Sequence, residues 1–186
     1  FGMVLGAIAS ALLYLVIFTD KLTYANNRIS GWLDPFSPAA GVDTWQTRQG
    51  LYAIGSGGIL GLGLGNSRQK YLYIPEPQND FIFSVVCEEL GFIGAIFILL
   101  LFALLVWRGM IIAIRAKDKF GMLLGIGLTA QVGLQVILNI SVVTNTIPNT
   151  GISLPFFSYG GTSLMMLLAQ MGVILSISRS SHMQKN

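Results

Sequence analysis

Long apolar segments alternate with polar stretches along this chain, and four of them approach the length of a membrane span. An α-helix needs about 20 predominantly apolar residues to cross the hydrocarbon core of a bilayer. The pattern therefore predicts an all-α polytopic membrane protein, with one membrane domain over residues 1–186 and four transmembrane helices. The predicted spans are Gly2–Thr19, Phe81–Trp107, Phe120–Val143 and Gly160–Ile177.

The longest polar stretch runs from Asp20 to Asp80, between the first two predicted spans. Loops of this length in compact domains usually carry function, and we expect this one to contain short helices. Within it, Leu51–Gly65 is apolar but short and rich in glycine, which predicts a re-entrant or interfacial segment that packs against protein. Its alternating glycines lack the strand–helix context of a dinucleotide-binding loop, so no such loop is assigned.

Composition and charge support a membrane location and give an orientation. Charged residues make up 10% of the chain, against about 25% in soluble domains. The connection 108–119 and the tail 178–186 carry net positive charge, which predicts that both face the cytoplasm. The 20–80 loop has as many acidic as basic residues and is predicted to be extracellular. Because the chain begins inside an apolar segment, we expect it to be the carboxy-terminal part of a longer membrane protein.

Asp80 is the first candidate for chemistry, because it ends a polar, proline-containing stretch and begins the second predicted span. A carboxylate at the mouth of a helix bundle is typically placed for chemistry or transport. On a straight helix with 100° per residue, Glu88 flanks the face of Asp80, whereas Glu89 points away; both glutamates also suit structural ion pairs. Small or polar residues share the face of Asp80: Ser84, Cys87 and Gly91.

Further polar groups lie on the third predicted span and in the segments outside the membrane. Gln131, Gln135 and Asn139 recur every four residues on one helix face, which suits either hydrogen bonding between helices or a polar cavity. Ser158 and Tyr159 follow in a segment rich in proline and glycine; their hydroxyl groups suit a sugar or phosphate ligand, although an ordinary hairpin explains the segment equally well.

The long loop also carries cationic side chains that suit a pyrophosphate ligand, although most basic residues in loops are simply solvated. These residues are Arg28, Arg48, Arg68 and Lys70. The single cysteine and single histidine exclude a disulfide framework and a metal site built from these residue types. Carboxylates with water remain able to hold a cation.

Short motifs in a fixed order run through nearly the whole chain. They are Asn27-Arg28, Leu33-Asp34-Pro35, Gln46 with Gln49, Ala53–Gly58, Gly63–Lys70, Pro75-Glu76, Asp80–Phe83, Glu88–Gly91, Asn139-Ile140, Leu154-Pro155 and Ser158–Gly161. In this order and spacing they resemble the SEDS family, the FtsW, RodA and SpoVE proteins of bacterial division, elongation and sporulation. The stretch Gly65–Lys70 is most similar to the FtsW/SpoVE branch.

The resemblance implies the last four spans of a ten-span bundle and a peptidoglycan glycosyltransferase that polymerises lipid II at the outer face of the cytoplasmic membrane. It implies a class B penicillin-binding protein as partner, beside other division or sporulation membrane proteins, and no nucleic acid. The essential aspartate of the family falls on Asp80. Residues expected to bind substrate are Arg48, Lys70, Arg28, Arg68, Gln46, Gln49, Glu88, Gln135, Asn139, Ser158 and Tyr159. Thr150 stands where some members have a lysine, so no functional lysine is carried over there.

The chemistry of glycosyl transfer fits a single carboxylate at Asp80. The attacking sugar hydroxyl must lose a proton, whereas pyrophosphate leaves as an anion and needs no protein acid, so Asp80 alone would suffice as general base. A divalent cation, Mg²⁺ or Mn²⁺, beside Asp80 is left open as a cofactor. A lipid II flippase or a division scaffold remains as an alternative function, and the 186-residue chain alone is expected to be inactive.

Overall fold

The computed structural model describes residues 23, 25–36, 44–69 and 79–182, and within these ranges the chain forms helices, turns and loops but no strand. A short helical segment covers residues 25–33. The longer helices are α1 (Trp45–Gly57), α2 (Ile82–Ile114), α3 (Lys119–Val143) and α4 (Gly161–His182). The predicted first span, Gly2–Thr19, and the predicted ligand Lys70 lie outside the described residues.

Within the described residues, three helices are long and apolar enough to cross a membrane: α2, α3 and residues Gly161–Ser180 of α4. The predicted all-α membrane fold is confirmed for the part of the chain that the structure describes. Helix α2 continues past Trp107 to Ile114, so Arg108 lies on the helix rather than in the connection. Residues 108–114 contain no proline and are mostly apolar, which lets the helix continue as far as the charged stretch 115–118.

Helices α2 and α3 pack in antiparallel directions through small residues. A Cβ atom added at Gly109 would lie 2.7 Å from Thr129 Oγ1, and one added at Gly125 would lie 2.9 Å from the Cβ of Ala113. The backbones can therefore approach closely, as expected for glycine at helix contacts in membranes. At the start of α3, the Asp118 carboxylate accepts a hydrogen bond from the Gly121 amide at 2.9 Å, which caps the helix.

Helix α2 is interrupted at Gly91, which has a φ of 67° and a ψ of −169°. This is a backbone conformation that L-residues with a side chain rarely adopt, whereas glycine adopts it readily. The interruption divides α2 into two parts of unequal length. We call residues 82–90, at the amino-terminal end, the outer half and residues 92–114 the inner half. An interruption of this kind frees backbone amides and carbonyls that need new partners.

The loop of residues 58–63 supplies these partners on both sides of the interruption. Two of its amides donate to the carbonyls of Glu88 and Glu89, at 2.9 and 3.0 Å. Two of its carbonyls accept from the amides of Phe92 and Ile93, at 2.9 and 3.2 Å. The glycine-rich segment predicted to pack against protein therefore completes the hydrogen bonding of a broken helix, which membrane helices tolerate only where such partners exist.

The interruption turns the outer half of α2 back toward the end of α3. The antiparallel register of the two helices places Asn139 level with Leu99. A straight helix would carry Asp80 about 28 Å beyond Leu99, at 1.5 Å per residue. The side-chain amide of Asn139 nevertheless donates to the Asp80 carbonyl at 2.9 Å, so the chain before Gly91 folds back over the end of the bundle.

Helix α1 lies beside the outer half of α2 and runs in the same direction. A Cβ atom added at Gly50 would lie 3.1 Å from Ser84 Oγ, and one added at Gly57 would lie 2.0 Å from the Cys87 carbonyl oxygen. The predicted stripe of Ser84, Cys87 and Gly91 is buried. It forms the contact with α1 and the glycine-rich loop, because Gly50 and Gly57 of α1 pack against Ser84 and Cys87, and Gly61 of the loop packs against Gly91.

Candidate site around Asp80

Asp80 lies at the start of α2, half-buried, where the outer half of that helix meets α3 and the 144–160 segment. Its carbonyl accepts the hydrogen bond from Asn139. Its carboxylate is close to the 144–160 segment, because a Cβ atom added at Gly151 would lie 3.5 Å from Asp80 Oδ2. The carboxylate predicted to carry the chemistry therefore stands at the junction of three parts of the chain.

Two side chains fix the 144–160 segment beside Asp80. The Ser158 hydroxyl donates to the Asn79 carbonyl at 2.6 Å and accepts from the Leu154 amide at 2.7 Å. Asn139 donates to the Ile152 carbonyl at 2.6 Å. The two predicted residues Ser158 and Asn139 are thus brought together with Asp80, and each bonds to backbone.

The polar face of α3 continues below this junction. The Gln135 amide donates to the Ser153 carbonyl at 3.0 Å, and the Gln170 amide donates to Gln131 Oε1 at 3.3 Å. Gln131 and Gln135 also line an open groove of about 430 Å³ that ends at Ile152. Hydrogen bonding between segments, one of the two alternatives from the sequence, is therefore observed for both glutamines. The groove is lined mainly by apolar residues, so a polar cavity stays a prediction.

The early part of the long loop docks on the 144–160 segment from the other side. An Arg28 guanidinium N–H donates to the Asn149 carbonyl. Trp32 and Asn145 exchange two hydrogen bonds, each 3.0 Å long, in which the side chain of one donates to the carbonyl of the other. Arg28 is therefore held two residues from Gly151, near the Asp80 junction.

Three predicted ligands lie in the first turns of α1. Because Gly50 packs against Phe81 and Ser84, the start of α1 lies at the same end of the fold as Asp80. Arg48 stacks on the Trp45 ring, 5.8 Å from its centroid. Its Nε is buried without a hydrogen-bond partner among the described residues, an arrangement that favours an anionic ligand. The other two predicted ligands here are the half-buried Gln46 and the buried Gln49.

Glu88 lies on the helical stretch before the interruption and is held by hydrogen bonds to the glycine-rich loop and to α1. Its carboxylate is buried and accepts from the Ser67 hydroxyl at 2.5 Å, the Arg68 amide at 3.1 Å and the Ser56 hydroxyl at 3.4 Å. These bonds anchor the end of the glycine-rich loop, two helical turns from Asp80. Arg68 is exposed on that loop, and the Tyr159 side chain is 78% exposed.

Among the described residues, no group of three His, Cys, Asp or Glu side chains converges on one point. Asp80 would therefore offer a cation one carboxylate. A magnesium ion fits such a site when substrate phosphates and water provide its other ligands. Sequence reasoning missed the contacts of Gly151 and of the Trp32–Asn145 pair, which join segments more than 70 residues apart in sequence.

These features define an α-helical multi-pass membrane protein with a polar junction at one end of its helices. The profile of the cell cycle protein family of FtsW, RodA and SpoVE matches residues 1–183. The chain therefore belongs to this family, and the resemblance seen in its motifs is confirmed.

Curated relatives agree with this assignment. Stage V sporulation protein E of Bacillus subtilis is 51% identical over 158 residues, which are 85% of this chain and 43% of the relative. A probable peptidoglycan glycosyltransferase FtsW of Trichlorobacter lovleyi is 42% identical over 175 residues, or 94% of this chain and 46% of the relative. The chain thus spans a little under half the length of the curated relatives it matches.

Two solved structures share the fold. One is a peptidoglycan synthase complex whose polymerization and crosslinking are described as structurally coordinated. It matches 96% of this chain and 48% of its own, with 30% identity and a TM-score of 0.67. The other is an aspartate-to-alanine mutant of the rod shape determining protein RodA of Thermus thermophilus. It matches 71% of this chain and 40% of its own, with 34% identity and a TM-score of 0.55.

Proposed function

We propose that the whole protein is a peptidoglycan glycosyltransferase that polymerises lipid II at the outer face of the bacterial cytoplasmic membrane during division or sporulation. The observation that carries this proposal is the position of Asp80, half-buried at the junction of α2, α3 and the 144–160 segment. The names of the FtsW relatives support the reaction class. The division or sporulation setting follows the FtsW and stage V sporulation relatives.

In this reaction Asp80 acts as the general base. Its carboxylate takes the proton from the 4-hydroxyl of the acceptor sugar while that oxygen attacks the anomeric carbon of the donor sugar. The bond between this carbon and the pyrophosphate oxygen breaks, and the pyrophosphate leaves as an anion. One carboxylate suffices, because the leaving group needs no proton, in contrast to the carboxylate pair of most glycosidases.

The cationic side chains around the junction stabilise the pyrophosphate. Arg48 is the strongest candidate, because its buried Nε has no partner among the described residues, and a guanidinium matches phosphate geometry. Arg28 adds positive charge beside the 144–160 segment, and Arg68 adds an exposed cation on the loop. Lys70, two residues further in sequence, stays a proposed ligand. A divalent cation, when bound, would neutralise phosphate charge between Asp80 and the pyrophosphate.

The groove along α3 and the exposed hydroxyl of Tyr159 complete the proposed substrate surface. Gln135 and Asn139 shape its upper end, together with Ser158. Gln46 and Gln49 approach from α1, while Glu88 acts at a distance by anchoring the loop that carries Arg68. In this arrangement the long loop is extracellular and the carboxy terminus is cytoplasmic, as the distribution of basic residues suggests.

A class B penicillin-binding protein is the proposed partner, with other division or sporulation membrane proteins in the same assembly. The fold neighbour that belongs to a peptidoglycan synthase complex supports such a partner. Because the described helices expose many large apolar side chains, there is ample surface for partner helices, for the remaining spans and for lipid. A sequence of 186 residues that covers under half of its relatives is expected to be inactive alone.

The deciding experiment compares Asp80→Asn with Asp118→Asn in the full-length protein, assayed for lipid II polymerisation. Asp118→Asn makes the same chemical change at the opposite end of α3, and asparagine also caps helices well. We expect Asp80→Asn to keep lipid II binding and thermal stability but to form no glycan chains, whereas Asp118→Asn stays active. Normal chains from Asp80→Asn would refute the proposal. Lipid II translocation into vesicles without polymerisation would favour a flippase, and full function in vivo without Asp80 would favour a scaffold.

A further inference from the structure

Asn139 is a fully buried amide, 0% exposed, near the end of α3. Its Nδ2 donates to the Asp80 carbonyl at 2.9 Å and to the Ile152 carbonyl at 2.6 Å. A side-chain amide nitrogen has two hydrogens, so both are engaged. One side chain on a membrane-spanning helix therefore holds the residue that carries the carboxylate and the segment that faces it.

The interruption of α2 makes this contact consequential. Asp80 belongs to the outer half of α2, which is separated from the inner half by Gly91 and its non-helical backbone. The hydrogen-bond ladder of a continuous helix therefore does not fix Asp80 relative to the membrane-spanning bundle. Asn139 makes a direct side-chain bond across this gap, from α3 to the backbone of Asp80.

The Ile152 carbonyl, the second acceptor of the Asn139 amide, fixes the 144–160 segment to the same side chain as Asp80. Ile152 follows Gly151, whose added Cβ would lie 3.5 Å from Asp80 Oδ2. By holding the carbonyls of Asp80 and Ile152 on one nitrogen, Asn139 sets the width of the gap between the carboxylate and this segment.

We infer that Asn139 is a positioning residue for glycosyl transfer, which fixes Asp80 against the 144–160 segment, and that it does not contact the substrate. This inference rests on the proposed role of Asp80 as general base. It replaces the expectation from the sequence that Asn139 binds substrate, because a fully buried side chain with both amide hydrogens engaged has no donor left for a ligand. Its Oδ1 is buried as well and has no hydrogen-bond partner in the described part of the chain.

A positioning role makes a distinctive kinetic prediction. Loss of the amide displaces the base while the groups that bind the sugar and pyrophosphate remain in place. A displacement of about 1 Å at a reacting group can cost on the order of 100-fold in rate. We therefore expect a large fall in kcat with a nearly unchanged KM for lipid II, the signature of an interaction needed in the transition state.

The test uses full-length protein carrying Asn139→Leu, which removes both donors at similar volume, or Asn139→Asp, which is isosteric and lacks the amide. The matched control is Trp32→Phe, which removes one side-chain bond to the Asn145 carbonyl of the adjoining segment and leaves Asp80 untouched. Steady-state kinetics on lipid II, binding of lipid II and thermal unfolding are measured for all three. If Asn139→Leu does not fold, Asn139→Asp decides the outcome.

The inference predicts a kcat about 100-fold lower for the Asn139 variants, with binding retained and with kcat near normal for Trp32→Phe. A raised KM with normal kcat would identify a substrate contact and overturn it. Equal kcat losses in Trp32→Phe and the Asn139 variants would also overturn it, because they would show a general effect of loosening the segment. Normal kcat in the Asn139 variants together with an inactive Asp80→Asn protein would refute the positioning role of Asn139 and leave the general-base proposal intact. An active Asp80→Asn protein would instead refute the proposed general base.

Discussion

Gly61 and Gly91 meet backbone to backbone at the interruption of α2. A Cβ atom added at Gly91 would lie 2.3 Å from the Gly61 amide nitrogen, and one added at Gly61 would lie 2.2 Å from the Glu89 carbonyl oxygen. No side chain fits between these two segments. The contact lets the loop 58–63 reach the freed backbone groups of the helix, and it thereby sets the direction of the outer half that carries Asp80.

Replacing Gly91 by alanine is expected to destabilise the protein and abolish polymerisation. The φ of 67° costs a residue with a Cβ about 1–2 kcal/mol, and the added methyl group also forces the loop away from its hydrogen bonds. Thermal unfolding and polymerisation are the measurements. Gly172→Ala is the control: its Cβ would meet nothing within 4 Å in α4, so stability should hold or rise by up to about 1 kcal/mol. A Gly91→Ala protein with normal activity would show that the outer half needs no interruption.

We expect substitutions of Glu88 and Ser67 to have non-additive effects on the free energy of unfolding, because the two side chains share a hydrogen bond. Truncation of Glu88 to alanine leaves the Arg68 amide and the Ser67 hydroxyl without their acceptor, which should cost about 1–3 kcal/mol for each buried group left unsatisfied. Unfolding of Glu88→Ala, Ser67→Ala and the double variant gives the coupling, expected at about 0.5–3 kcal/mol for neighbours in one network. Hydrogen exchange at residues 58–63 should rise in each variant. Additive changes in the free energy of unfolding would show that the loop is anchored by contacts other than the Glu88–Ser67 hydrogen bond.

Gly151→Ala should lower activity more than stability. Its φ of 69° adds strain of about 1–2 kcal/mol for alanine, and its Cβ would occupy the space beside the Asp80 carboxylate, in van der Waals contact at 3.5 Å from Oδ2. Gly65→Ala is the matched control, since Gly65 has a φ of 80° but open space around its Cβ. The two variants should therefore lose similar stability in unfolding experiments, while Gly151→Ala alone loses turnover. Equal turnover in both would place the reacting hydroxyl away from Gly151.

Removal of the Ser158 hydroxyl should loosen the 144–160 segment. In Ser158→Ala the Leu154 amide loses its acceptor and the Asn79 carbonyl loses its donor, at a cost of about 1–3 kcal/mol. Hydrogen exchange at residues 152–158 should become faster, and polymerisation should slow. Ser141→Ala is the control, because that hydroxyl bonds only to the Ile137 carbonyl within α3. Unchanged exchange in Ser158→Ala would show that Asn139 suffices to hold the segment.

The three spans that lie in the described part of the chain were predictable from sequence, because hydrophobic length largely decides whether a helix can cross a bilayer. The interruption at Gly91 was not, since the apolar pattern continues unbroken across it and a lone glycine is tolerated in membrane helices. The break depends on a loop about 30 residues earlier in the chain, a relationship that periodicity does not carry. The helix wheel drawn from Asp80 placed Ser84 and Cys87 on one face, but periodicity carries no sign that α1 and the loop 58–63 cover that face.

The sequence identified several polar residues that the structure brings close to Asp80, but not their hydrogen-bond partners. The spacing of Gln131, Gln135 and Asn139 identified a polar face, and the polar-to-apolar boundary identified Asp80. Their partners are largely backbone carbonyls, such as those of Ile152 and Ser153. Every residue has a carbonyl, so sequence gives no sign of which one is used. Glu88 shows the same limit, because the Arg68 amide is one of its donors.

The inner half of α2 is long enough to cross the hydrocarbon unaided, because residues 92–114 extend about 34 Å at 1.5 Å per residue. The outer half is therefore not needed to cross the bilayer, and its length need not match the thickness of the bilayer. A thinner or thicker membrane changes the tilt of the spanning helices. The depth of Asp80 in the membrane then follows the carboxy-terminal end of α3, where Asn139 bonds to it, rather than the amino-terminal end of the inner half of α2. The position of the Asp80 carboxylate thus depends on α3, although Asp80 itself lies at the start of α2.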